Sequence, residues 1–130
     1  MPPKIFSVAE AHRRLPLIKQ IISDILSKAQ QLRESIEHAK KQTLIPEQVE
    51  ILQIEIDGHI KELEKLGCYY KDWNFDIGLV DFPSIILEQP ALLCWRSDEK
   101  FIRWYHSYED GFVGRKLIPE NLLEESKVLY

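Results

Sequence analysis

The sequence predicts an α+β chain, a long antiparallel helical hairpin followed by a small antiparallel β-meander. Two apolar seams and a change of hydrophobic period after Gly67 carry that expectation. Leu15, Ile18, Ile22, Ile25, Ala29, Leu32, Ile36 and Ala39 follow one another at intervals of three and four, and so do Val49, Leu52, Ile56, His59, Leu63 and Leu66. Such intervals stack side chains on one face of a helix, whereas the alternation beyond Gly67 suits half-buried strands.

The first helix opens at Ser7. Ser7-Val8-Ala9-Glu10 is a capping box, in which the serine hydroxyl takes the Glu10 amide and the Glu10 carboxylate reaches back to the Ser7 amide. Pro16 lacks a donor and crowds the preceding turn, so a kink or short break is expected near Arg13 to Leu15. From Leu15 to Lys41 the helix would run about 40 Å at about 1.5 Å per residue, longer than a small domain is wide. Part of its seam is therefore expected to find another partner or to stay exposed. Gln42 to Ile45 is a short connection, and Pro46 and Glu47 suit the first turn of a second helix. Lys65 in the last turn and Gly67 as C′ residue end it. Gly58 interrupts this helix and is read as a site of close helix packing, with His59 beside it as a hydrogen-bonded seam residue.

Cys68 to Trp73 is a strand candidate, Asn74 to Gly78 a turn, and Leu79 to Phe82 a short strand. Pro83 confines its surroundings to an edge or bulge, Ile85 to Leu87 continue the strand, and Glu88 to Pro90 turn. Ala91 to Arg96 and Phe101 to His106 are strands joined by Ser97 to Lys100. The chain reads as one domain, with the hairpin over 7–66, the meander over 68–115 and a tail over 116–130 that ends in a short helix from Pro119.

A four-residue loop at 97–100 sets a register. Arg96 then faces Phe101, Cys94 faces Arg103 and Leu92 faces Tyr105, while Ala91, Leu93, Trp95, Ile102 and Trp104 form an apolar face toward the helices. A bulge would shift these pairs by one residue and swap the faces. Arg96, Arg103 and Tyr105 on the polar face suit an anionic group, although Arg side chains beside Glu99, Asp81 or Glu109 also pair with them structurally. His106, Glu109 and Asp110 with Asp81 form the one cluster suited to a metal or to acid–base work, since imidazole and carboxylate ligate first-row ions. No metal or other cofactor is expected outright, because H-x-x-E falls at a strand end here. Cys94 is read as a small buried residue. Gly111 to Arg115 lacks the pattern of a phosphate loop, and its glycines are read as permitting positive φ in a turn that carries Phe112 to the core.

The net charge of −4 argues against nucleic-acid partners. No apolar run approaches the roughly 18 residues of a membrane span, and no secretory leader is recognisable. Cys68 and Cys94 show no metal or disulfide spacing, so a reduced, cytoplasmic setting is expected. Residues 1–42 carry eight Lys/Arg against four Asp/Glu, and residues 43–67 two against six, so the two helices attract across their flanks.

Four blocks, GLVDFP (78–83), LCWR (93–96), His106 and GFVGR (111–115), resemble a bacterial family catalogued as domain of unknown function 2203. The opening Phe6 to Ala11 and Leu15-Pro16 resemble its helical start. Members often carry Trp directly before the matching His, where this chain has Tyr105. Many carry Glu after that His and five residues before it, where this chain has Ser107 and Phe101. The resemblance implies no activity.

The function expected is a non-enzymatic interaction or oligomerisation module, a homo-oligomer through the hairpin or a holder of a protein partner's helix. The alternative is a small-molecule or metal site, possibly catalytic, at the end of the sheet. It draws on Asp81, Arg96, Arg103, Tyr105, His106, Glu109 and Arg115.

Overall fold

A computed structural model describes residues 4–40 and 47–127. The connection expected at 42–45, and Pro46, lie outside the described residues. α1 spans Val8–Lys40 and α2 spans Glu47–Lys65. They pack on one another and precede a five-stranded antiparallel sheet in the order β1-β2-β3-β4-β5. Its strands are Tyr69–Tyr70, Leu79–Ile86, Gln89–Arg96, Trp104–His106 and Lys116–Leu117. α3, Glu120–Lys127, lies against α1.

Both helix boundaries follow from side-chain and backbone chemistry readable in the chain. The Glu10 amide donates to Ser7 Oγ at 3.0 Å and the Ser7 amide to Glu10 Oε1 at 3.2 Å, a reciprocal cap. At the end of α2, Gly67 has φ 89°. Its amide bonds to the Glu64 carbonyl at 3.0 Å and that of Cys68 to the Leu63 carbonyl at 2.9 Å, a Schellman motif. Of the kink or short break expected near Arg13 to Leu15, the break is absent, for α1 runs without interruption through Pro16. Leu15, Ile18, Ile22 and Ile25 are buried on either side of the proline, and that burial outweighs one missing amide. The α1 seam is buried as far as Ala29, and beyond it α2 contributes the buried Val49 and Leu52. No packing explains Gly58, since a Cβ there would meet nothing within 4 Å. His59 is half-buried and bonded on both nitrogens, to Lys28 at 2.8 Å and Glu62 at 3.0 Å.

The sheet departs from expectation in its lengths and in one register. β1 is two residues long because the Asp72 carboxylate organises a loop, accepting the amides of Asn74, Asp76 and Ile77. β2 runs straight through Pro83. There the Phe6 amide donates to the Pro83 carbonyl at 2.7 Å, and Ser84 Oγ donates to the Phe6 carbonyl at 2.6 Å. A residue's N and O point to the same side of a strand, so the missing donor of Pro83 faces the edge occupied by Phe6 and not β3. The β2–β3 turn is Leu87-Glu88, one residue earlier than expected, with φ 52° and 65°. Two positive φ values make a two-residue type I′ connection.

Between β3 and β4 the pairs are Leu92 with His106, Leu93 with Tyr105 and Cys94 with Trp104, one residue off the expected register. The expected strand 101–106 keeps only its last three residues. Phe101 to Arg103 leave the sheet toward α1, where the Ile102 amide donates to His12 Nε2 at 2.9 Å and the Ile102 side chain enters the core. Ala91, Leu93 and Trp95 keep the expected inner position, but β4 is turned over. Tyr105 packs inward against the core, and Trp104 and His106 face outward beside Cys94 and Leu92. The core joins Phe6 to Ala29 of the first segment and α1 with Val80, Phe82, Leu93, Trp95 and Ile118. Gly78 is needed for this packing, because a Cβ would collide with Ile22.

α3 is held by a buried His12–Ser126 hydrogen bond. His12 Nε2 accepts the Ile102 amide, so Nδ1 carries the proton and donates to Ser126 Oγ. Burial holds this imidazole below its ordinary value of 6.5, with Lys19 acting in the same direction. The unfolded chain therefore binds the proton more readily than the folded one. The stabilisation is complete above about pH 6.5 and is lost as pH falls below it. Denaturant melts between pH 7.5 and 5 will show that loss, and His12→Gln will flatten it. Leu87→Asn with Glu88→Gly will relieve two positive-φ side chains. We expect a gain of about 1–2 kcal/mol in urea unfolding.

Candidate functional site

The outer face of the sheet gathers a row of side chains from three strands. Asp81 of β2 pairs with Cys94 of β3, and Cys94 with Trp104 of β4. His106 stands two positions along β4 on the same face, opposite Leu92. Side chains directly opposite in neighbouring strands have Cβ atoms about 4.5–5.5 Å apart, so the register alone brings these groups together. The nearest ligand atoms of Asp81, Cys94 and His106 lie within 4.8 Å of one another. The three residues are 3%, 0% and 3% exposed.

The protonation of His106 is constrained from one side. Its Nδ1 lies 2.7 Å from the Ser107 carbonyl, which can only accept, so Nδ1 carries a hydrogen. Nε2 is thereby turned toward Asp81 Oδ1 at 3.3 Å. A histidine whose outer nitrogen is fixed by a carbonyl and whose inner nitrogen faces a carboxylate and a thiol has the arrangement of a metal ligand. Burial pushes the Asp81 carboxyl above its usual range, and His106 beside it pulls the other way. Burial also pushes the Cys94 thiol up to about 12, with Asp81 adding to the shift. As a free thiol Cys94 is therefore protonated and a poor nucleophile.

Arg115 crosses the same face. Its guanidinium lies 5.1 Å from the Trp104 ring centre and 4.8 Å from that of Phe112. One terminal nitrogen donates to Glu99 Oε1 at 2.6 Å and to the Cys94 carbonyl at 3.1 Å. Arg115 Nε is buried and makes no hydrogen bond among the described residues. Glu99 also accepts the Arg96 amide at 2.7 Å, and its own carbonyl accepts Trp95 Nε1 at 2.9 Å. Phe112 is exposed and rests on Arg115, and does not enter the core as expected. Of the two nearby glycines only Gly111 has positive φ, at 64°; a Cβ at Gly114 would collide with Asp110.

Of the residues singled out from the sequence, the structure brings Asp81 and His106 together and sets Arg115 against the Cys94 carbonyl. Arg96 is tied to Asp98 through two bonds of 2.7 and 2.8 Å, the structural pairing open to it. Arg103 is exposed and lines a separate cleft with His12 and Glu120. Tyr105 and Glu109 lie on another open cleft with Lys116. Asp110 is exposed. Cys94, read from the sequence as a small buried residue facing Arg103, is the member of the cluster that residue type alone did not single out. The one-residue shift puts His106 beside it.

Fold and site together describe a small α+β protein with a buried cluster of nitrogen, oxygen and sulfur donors on the outer face of its sheet. The chain belongs to a family of uncharacterized conserved proteins, domain of unknown function 2203, whose model matches residues 4–118. No curated protein and no solved structure matches it. None of its described helices is long and apolar enough to cross a membrane.

The burial of Cys94, and of Cys68 with its thiol also pushed up to about 12, has a direct chemical consequence. Both should resist alkylation at pH 8 in the folded protein and react at least about a hundredfold faster in denaturant, a contrast that follows from thiolate fraction and access. Quenched iodoacetamide labelling with peptide mapping measures it.

Proposed function

We propose that this protein binds a divalent transition metal through Asp81, Cys94 and His106. The observation that carries the reading is the convergence of three different donor atoms within 4.8 Å, all buried and contributed by three adjacent strands. A set of imidazole, carboxylate and thiolate suits zinc, and cobalt as its substitute, better than magnesium or calcium. Tetrahedral ligation with bonds of about 2.0–2.3 Å needs donor atoms roughly 3.3–3.8 Å apart. Asp81 and His106 already stand at 3.3 Å, so side-chain adjustments of about an ångström, chiefly at Cys94, would complete the set. Three protein donors leave the fourth position for water or an added ligand. An ion there would also tie together the three central strands, so that sheet stability becomes linked to metal.

Metal-free protein titrated with zinc or cobalt should bind one equivalent. At a free concentration a hundredfold above Kd the stabilisation should be about 2.7 kcal/mol, reversed by chelator. Cys94→Ala and His106→Ala, with folding checked by circular dichroism, should each remove the site. Binding that is absent in the wild type, or unchanged in both folded variants, would sink the reading.

A further inference from the structure

We infer that the same centre accepts a small oxyanion, a carboxylate or a phosphate, held between the metal and Arg115. This rests on the metal reading above and extends it to the ligand that takes the fourth position.

Arg115 Nε is buried and has no acceptor among the described residues. A buried donor left unpaired costs about 1–3 kcal/mol, and more when it belongs to a charged group. The rest of the guanidinium is well engaged. It donates to Glu99 and to the Cys94 carbonyl and lies against two aromatic rings, so neither its place nor its orientation is accidental. Its place relative to the cluster follows from the register. Asp81, Cys94 and Trp104 form one cross-strand row on the outer face, and Arg115 lies over Trp104 at the end of that row. Its terminal nitrogen reaches the Cys94 carbonyl at 3.1 Å, so the guanidinium stands beside the residue that supplies the thiol. A donor set that includes two anionic ligands would leave a divalent ion with little net charge. The cation nearby then favours an anion in the remaining position and offers it an oriented N–H.

The polar partners also limit the ligand. Glu99 holds a terminal nitrogen of the same guanidinium at 2.6 Å, which leaves Nε for the incoming group and sets a carboxylate near it that repels an anion. Asp81, Cys94 and His106 are nearly fully buried, which favours a compact head group. Carboxylate and phosphate both present two oxygens spaced to meet a metal and an N–H together.

The test uses cobalt-loaded full-length protein, whose visible spectrum reports the ligands of the ion. Cobalt stoichiometry is measured first in each variant. An anion response is then read only on protein that holds its metal. Acetate and inorganic phosphate are titrated separately. The expected result is a saturable spectral change with one or both. Arg115→Lys keeps the charge but loses the oriented Nε–H, and should weaken the anion at least tenfold. Glu99→Gln removes the repelling carboxylate and should tighten it several-fold. If cobalt itself fails to bind, the metal reading falls. If cobalt binds but neither anion changes the spectrum, or the anion responds to neither Arg115→Lys nor Glu99→Gln, the anion inference alone is overturned. Preference for acetate over phosphate would assign the planar head group, and the reverse the tetrahedral one.

Discussion

The pairing of Cys94 with Trp104 decides which side chains meet on the outer face of the sheet. Side chains alternate across a sheet, so a shift of one residue between two strands exchanges the faces of the whole shorter strand. With the strands one residue apart in the other sense, His106 would point at the helices and Tyr105 would stand beside Cys94. The register observed is fixed from outside the ladder. Ile102 leaves the sheet to bury its side chain and to give its amide to His12, ninety positions earlier in the chain. Glu99 folds back onto the end of β3, taking the Arg96 amide with its carboxylate and the Trp95 indole with its carbonyl. These contacts take up the slack of the connecting loop and turn β4 over.

Glu99 and Arg115 form a second constraint on the same face. Both are largely withdrawn from water, with side chains 19% and 12% exposed. Such a pair is weak evidence for stability, because desolvation offsets much of the attraction. Its contribution is to place a guanidinium. The charge ties Arg115 to the outer face, where the rings of Trp104 and Phe112 receive it. The segment that follows the buried histidine is thus tied back to the strand that carries the buried cysteine.

The helical hairpin supports this arrangement without taking part in it. α1 supplies the long apolar wall on which the sheet rests, and through His12 it reaches both the β3–β4 loop and α3. Because His12 serves two partners with two nitrogens, only its neutral form satisfies both. α2 covers the part of the α1 seam that the sheet does not reach, so a seam longer than the domain is largely occupied within one chain.

By itself the sequence determined the features that depend on near neighbours. The Ser7 cap, the Gly67 Schellman end, the two helices and the inward alternation of Ala91, Leu93 and Trp95 were all legible, since each is settled within a turn or a strand. Asp81, His106 and Arg115 were legible as candidates by residue type. The tertiary structure alone decided which of them meet. Leu87-Glu88 makes a type I′ turn without the Asn-Gly signature, because neighbouring strands impose the positive φ that the side chains resist. The β3–β4 register rests on hydrogen bonds from Glu99 and His12 that no local pattern records, and so the place of Cys94 in the cluster does too. A sheet face carries chemistry only through registers set by distant contacts, and these exist only once the chain has folded.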